Sequence, residues 1–422
     1  MRKLPSIIKY CLAPLVFTLG STLWALQRVN LDDVPHYWYS AFASAVFVTL
    51  PGSIAFALVA AIIAANKRQA KPFLKVSRRA AWQIIIRDLA YPFFAFLVSY
   101  IVLLGYLATK VGKASDSPPL LIALVVPVVA SAVLSFGYWC GLVFPKAIAI
   151  VLSLVTPITW AGFTVASQSF ALHYATGLLF ADCCRIYTVI DNQALLLSIS
   201  LNLSFAVVIF GLCLRSLSGS RNKHRNAYAL TSFGIITMFV SFATFGSHVG
   251  ATPITDRNVE ALVCEGKAPE ICLFPQQSQS PSIERAMNTS WNNLREIYPD
   301  IPKRVVGSIG GAGLIGVVVT VHSTSDEVAY SLSADAIGSP TYCEETQSQA
   351  ALRDSSYRIL QNLFLTQASS NDVNLDGFKL PLNKNESFEL SKIAVAPTSV
   401  KKVWVKRALS SVADCSTKPA LE

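Results

Sequence analysis

A chain of 422 residues that is 53% hydrophobic and only 14% charged is too apolar for an ordinary soluble protein and too long for one simple bundle, which excludes a single water-soluble domain. Its net charge of +10 is unevenly held: residues 1–248 carry 19 Lys/Arg against 6 Asp/Glu, whereas residues 249–422 carry 16 against 19. Basic character confined to the apolar part is accounted for by membrane orientation and anionic lipid, so nothing argues for a nucleic-acid partner.

Seven apolar segments are predicted as membrane spans, at about 7–26, 40–64, 89–109, 119–142, 147–166, 193–214 and 229–248, each near the ~20 residues that a bilayer demands. Fifteen Lys/Arg fall in alternate connections on one side, against Arg28, Lys110, Lys113 and Arg185 on the other. By the positive-inside rule this predicts a multi-pass protein of the plasma membrane with a cytoplasmic N-terminus; after an odd number of spans, everything beyond about residue 249 is expected outside. A charged start and an apolar run, with no small-residue cleavage pattern before Gln27, predict an uncleaved first span. Gly141, Pro145 and Lys146 alone separate the fourth and fifth spans, which implies a tight cytoplasmic hairpin. Pro14, Pro51, Pro92, Pro127 and Pro157 lie inside spans and predict kinks. Lys9 and Asp88 sit at span ends, where they are expected to snorkel or cap, and no proton relay is visible.

The connection from 66 to 88 reads as a two-faced helix. Arg68, Lys71, Lys75, Arg78 and Arg79 recur at helical spacing, with Phe73, Leu74, Ala81, Trp82 and Ile85 supplying apolar surface. Such a helix suits either a rest on anionic lipid or a coupling contact with a cytoplasmic ATPase. Residues 167–192 are too apolar for a plain loop of that length. Phe170, Ala171, Leu172, Tyr174, Leu178, Leu179 and Phe180 are expected in a re-entrant or interfacial helical pair, or else in a loop buried by the C-terminal domain.

Of nine cysteines, Cys11, Cys140 and Cys213 lie in spans and read as small hydrophobes. Cys183, Cys184, Cys264, Cys272, Cys343 and Cys415 all fall on the predicted outer side, where disulfides are expected. Cys264 with Cys272, around Gly266 and Pro269, is the simplest pairing, and Cys343 with Cys415 a weaker one. Cys183 and Cys184 either bond elsewhere or pair with each other; a metal or redox role is the lesser alternative, since no Cys-x-x-Cys or nearby His supports it.

Beyond residue 249 an extracytoplasmic α+β domain is predicted. Ser280 and Pro281 open an amphipathic helix through Ile283, Met287, Trp291, Leu294 and Ile297. The run 314–321 and the run 327–332 read as paired strands. A helix follows from about 344 to 368, a polar loop from 369 to 385, and a further helix from Thr398 to Val412. Gly307, Gly310, Gly311 and Gly313 read as backbone turns. Catalytic signatures are missing: there is no P-loop, no H-E-x-x-H and no nucleophile elbow, and His322 with Asp326 and Glu327 reads as a turn. No enzyme and no cofactor is expected.

The order of parts resembles a permease subunit of a type-2 ABC exporter. In that plan, residues 66–88 fall where the coupling helix lies and residues 167–192 where external re-entrant helices lie. The stretches FADCCRIYTVIDNQALL (180–196) and TPITDRNVEALVCEGKAPEICLFPQQ (252–277) resemble an uncharacterised actinobacterial group of ABC-permease-like proteins. The resemblance implies a separate cytoplasmic ABC ATPase as partner, docking near Lys71 to Trp82, and a homodimer or a heterodimer with a related permease. The chain departs from the plan in its seventh span and large outer domain. A non-transporting membrane anchor for an extracytoplasmic binding, sensor or assembly domain is the alternative expectation.

Overall fold

The computed structural model describes residues 6–28, 34–69, 80–113, 116–217, 221–310, 314–320, 322–338, 346–369, 377–415, 417 and 420–421. They form two compact units, Met1–Thr255 and Asp256–Glu422.

The first unit is helical: α1 (Ser6–Arg28), α2 (Trp38–Ala45), α3 (Thr49–Gln69), α4 (Ala81–Val111), α5 (Leu120–Val143), α6 (Lys146–Ala166), the single turn α7 (Phe170–His173), α8 (Asn192–Leu217) and α9 (Arg221–Phe245). Among the described residues six helical stretches are long and apolar enough to cross a membrane: Trp38–Arg68, Ala81–Val111, Leu120–Val143, Lys146–Ala166, Asn192–Leu217 and Arg225–Phe245. The chain is therefore a multi-pass helical membrane protein. The first predicted segment is helical too, with a shorter apolar stretch at Cys11–Gln27.

Span Trp38–Arg68 is not one α-helix. Val46–Val48 tighten into a 3-10 turn between α2 and α3. Pro51 explains the tightening, since its ring opposes the carbonyl four residues back, at Phe47. Helix α3 is the hub of the unit, packed against α1, α4, α5 and α6. Its Ala-rich surface (Ala57, Ala60, Ala61, Ala64) is fully buried. On α5, Gly137 and Gly141 sit against the Ala57 and Ala61 carbonyls, so closely that a Cβ at either glycine would collide with α3 backbone. This small-residue seam lets two backbones approach where lipid supplies no hydrophobic drive. Next, α5 packs on α8, and α8 on α9. The α8–α9 seam is again glycine-based, with Gly211 against Thr231 and Gly234 against Ser204 and Val208. Elsewhere on α9, Phe233, Ile236, Phe239 and Val240 are exposed apolar side chains.

The short strands β1 (Thr188–Ile190) and β2 (Ile254–Asp256) pair with each other. In the second unit, β3 (Val263–Glu265), β4 (Glu270–Leu273), β5 (Arg304–Val306) and β6 (Leu314–Gly316) form one sheet in that order, antiparallel between β3 and β4 and parallel thereafter. The helices are α10 (Pro281–Arg295), α11 (Ser325–Ile337), α12 (Gln347–Ala368), α13 (Lys384–Ala394) and α14 (Thr398–Ala413). They share one core that includes Met287, Trp291, Val305, Leu332, Phe364 and Val405. Trp291 Nε1 donates to the Pro302 carbonyl at 2.8 Å, so the largest core side chain leaves no unpaired N–H.

Three local expectations are corrected. The run 327–332 is the interior of α11, not a strand: Thr324 and Glu327 form a reciprocal capping box, and Val328, Ala329 and Leu332 are buried on one helical face. The run 314–321 pairs as strand only over Leu314–Gly316; Val317 still donates to the Val306 carbonyl, and Val321 lies outside the described residues. The loop predicted to 385 ends earlier, because Asn383 and Glu386 make a capping box that starts α13. Gly307 donates to the Cys272 carbonyl, while Gly311 and Gly313 lie outside the described residues.

Candidate functional site

Three parts of the chain carry the expected functional residues. The first is the connection between α3 and α4. Arg68 is exposed in the last turn of α3, and Trp82 is half exposed in the first turn of α4. Lys71, Lys75, Arg78 and Arg79 lie outside the described residues. What joins the two ends of this connection is a charged cluster that the sequence reading missed. Lys67 Nζ reaches both oxygens of Asp88 at 2.5 Å, and Tyr138 donates to Asp88 Oδ2 at 2.9 Å. Asp88 is 1% exposed and Lys67 25%. Asp88 therefore neither snorkels nor caps, because α4 begins at Ala81 and draws residue 88 into its second turn, facing the bundle. The pair and its phenol tie α3, α4 and α5 together beside the basic connection. A buried carboxylate held by an ammonium and a hydroxyl satisfies the pairing that burial demands. The missing signal was a long-range one, since Lys67, Asp88 and Tyr138 come from three separate helices.

The second part is the segment 167–192. It folds as α7 and two 3-10 turns, Tyr174–Thr176 and Leu178–Asp182. Phe170 is exposed, Leu178 and Leu179 are half-buried and Phe180 is fully buried, stacked on Tyr174. The turn 178–182 packs on α2 and on the 3-10 turn Val46–Val48. Gly177 adopts φ of 72°, a left-handed conformation that glycine tolerates, and a Cβ there would press on Val125 at 3.0 Å. Asn202 donates to the Ala175 carbonyl at 2.7 Å, and Tyr37 to the Thr188 carbonyl at 2.6 Å. Tyr174 donates to the Gly250 carbonyl at 2.5 Å, and Asp191 N–H to the Pro253 carbonyl at 2.8 Å. The segment is thus seated on the bundle by hydrogen bonds that satisfy its irregular backbone. His173 meets the Ser167 carbonyl at 2.6 Å.

The third part is the cysteine set. Cys183 and Cys184 bond to each other, both buried. Cys264 and Cys272 stand directly opposite on β3 and β4 and are bonded. Cys415 is disulfide-bonded, and Cys343 lies outside the described residues. Cys11, Cys140 and Cys213 are free and buried. Glu270 lies close to the Cys264–Cys272 sulfurs. Bonded sulfurs are not thiolate ligands, and the Glu270 carboxylate is engaged by Arg304 at 2.6 Å.

His322, Asp326 and Glu327 do not converge on a site. His322 N–H donates to Thr320 Oγ1, and the Glu327 carboxylate accepts the Thr324 N–H. A polar cluster of the second unit is built on Glu386. Burial alone would raise its carboxyl, but hydrogen bonds from Ser355 Oγ, the Asn383 N–H and Arg358 outweigh that and hold it below the ordinary glutamate range. This cluster pins α13 to α12 and has no free acid or base to offer. No protein-family model, no curated protein and no solved structure matches the chain, so the reading of its function rests on the geometry above.

Proposed function

We propose that the chain is the membrane permease subunit of an ABC-type exporter, energised by a separate cytoplasmic ATPase. The observation that carries this reading is the Lys67–Asp88–Tyr138 cluster. A segment that receives force from a motor must be stiffly joined to the helices it moves. Here the two ends of the basic connection are bonded to each other and to a third helix. Displacing the connection would move α3, α4 and α5 as a set. The further elements of the proposal are seven spans including α1, a cytoplasmic N-terminus, an extracytoplasmic second unit, and a pathway formed by two copies or by one copy with a related permease.

The test is affinity purification of the full chain from its native membranes in mild detergent. A P-loop ATPase subunit is expected to co-purify, and Arg78→Glu with Arg79→Glu is expected to release it. Recovery of no such subunit, together with unchanged activity of the double variant, sinks the proposal. One observation favours a second reading, a membrane anchor for a binding domain: the second unit has a closed core of its own. That reading gains if the purified complex holds no ATPase but retains a soluble extracytoplasmic partner.

A further inference from the structure

Among the described residues of the second unit, α13 and α14 stand out for their exposed apolar side chains. Among the described residues of that unit, eight large hydrophobic side chains are exposed, and four of them fall within residues 388–403. Phe388 (66% exposed) on the outward side of α13 and Val395 (86%) at its C-cap lie two turns apart, opposite buried Glu386 and Ile393. Val400 (53%) and Val403 (72%) lie one turn apart on the outward side of α14, opposite buried Val405, Ala408 and Val412. Helix α10 shows the ordinary pattern instead: past its opening Pro281, its exposed residues are polar. Scattered exposed valines need no explanation, but apolar residues gathered on two consecutive helix faces mark a contact surface.

Charge narrows the occupant. Residues 384–407 carry six Lys/Arg against two Glu, within a unit whose net charge is negative. One of those glutamates, Glu386, is buried and paired with Arg358. Lys384, Lys392, Lys402 and Lys406 are exposed around the apolar residues. Apolar side chains rimmed by lysines fit the boundary of an anionic bilayer, where the stems pack on acyl chains and the ammonium groups meet phosphate. A bilayer is always at hand, since α9 ends at Phe245, ten residues before this unit begins.

We propose that the outward face of α13 and α14 is a lipid-docking surface, which lays Phe388, Val395, Val400 and Val403 into the headgroup region of the anchoring bilayer and sets the surrounding lysines against anionic phospholipid. This holds whether or not the bundle transports anything.

Hydrogen exchange of the full chain tests it, in nanodiscs of phosphatidylcholine alone and of an equal mixture with phosphatidylglycerol. Amides of α13 and α14 exchange more slowly in the anionic discs. Each lysine at an anionic surface is worth ~1 kcal/mol, about fivefold in occupancy, so Lys392→Glu with Lys402→Glu and Lys406→Glu abolishes the lipid dependence. Phe388→Ser with Val403→Ser speeds exchange of these helices in both lipids. Exchange of α10 and α12 reports folding and stays unchanged in every variant. Equal exchange in the two lipids and no response to the lysine variants overturns the proposal. Protection seen in discs holding two copies and lost in discs holding one overturns it too, in favour of a second copy as occupant.

Discussion

Removing Lys67 should destabilise the bundle more than neutralising Asp88, although the two residues form one ion pair. Asp88 is 1% exposed and has two partners, so Lys67→Met leaves a carboxylate in the bundle with only the Tyr138 hydroxyl. Breaking a buried pair in this sense costs ~3–5 kcal/mol. Asp88→Asn is milder. The amide oxygen still accepts from Tyr138, and Lys67, a quarter exposed, can swing its ammonium outward along its alkyl stem. The loss is then one charge-assisted hydrogen bond, ~1.5–3 kcal/mol. Lys67→Met combined with Asp88→Leu removes both charges and should lie close to wild type, because replacing a buried pair by apolar groups is often neutral. The double variant would thus be more stable than Lys67→Met alone. Reversible unfolding of the full chain in mixed micelles measures this, with Asp88→Leu alone completing the double-mutant cycle. The reasoning is refuted if the two single changes cost the same and add in the double, for then Asp88 is not held by its partners.

Gly137→Ala and Gly141→Ala should each cost about 1–3 kcal/mol by overpacking the α3–α5 seam, whereas Gly105→Ala, with no atom near its Cβ position, should be neutral or stabilising in the same assay. Equal effects at all three positions would mean that the seam does not set the approach of the helices. The Glu386 carboxyl titrates below its unfolded value, so its contribution to stability is complete above the ordinary glutamate range and is lost as pH falls through the depressed folded value. Hydrogen exchange of α12 and α13 in the full chain should therefore quicken on acidification in wild type, and much less in Glu386→Gln; the same acid response in both would remove Glu386 from the account.

Six of the seven predicted spans were legible because length and apolarity act locally. A run near twenty residues with few charges has few alternatives, and the helices lie close to the predicted segments. The Cys264–Cys272 bond was legible for a similar reason, since the turn at Gly266 and Pro269 brings two short strands into antiparallel register. Residues 327–332 were misread because Val328, Ala329, Tyr330 and Leu332 suit either period, and the deciding pair joins Glu327, the first residue of the run, to Thr324 outside it. Asp88 was misplaced by a boundary: starting the helix at 89 leaves it outside, starting it at Ala81 buries it. The Gly137–Gly141 seam was not read from the sequence, because its partner surface, Ala57 and Ala61 on another helix, becomes visible only when the two backbones meet.

Helix α9 has α8 as its principal partner, and the glycine seam between them is formed by the last two long helices of the first unit. During synthesis the ribosome delivers α1 to α8 first, and none of their mutual packing waits on α9. Insertion of α9 is thereby a late and separable step. The second unit, which emerges after it, begins to fold when the bundle that anchors it can already be closed.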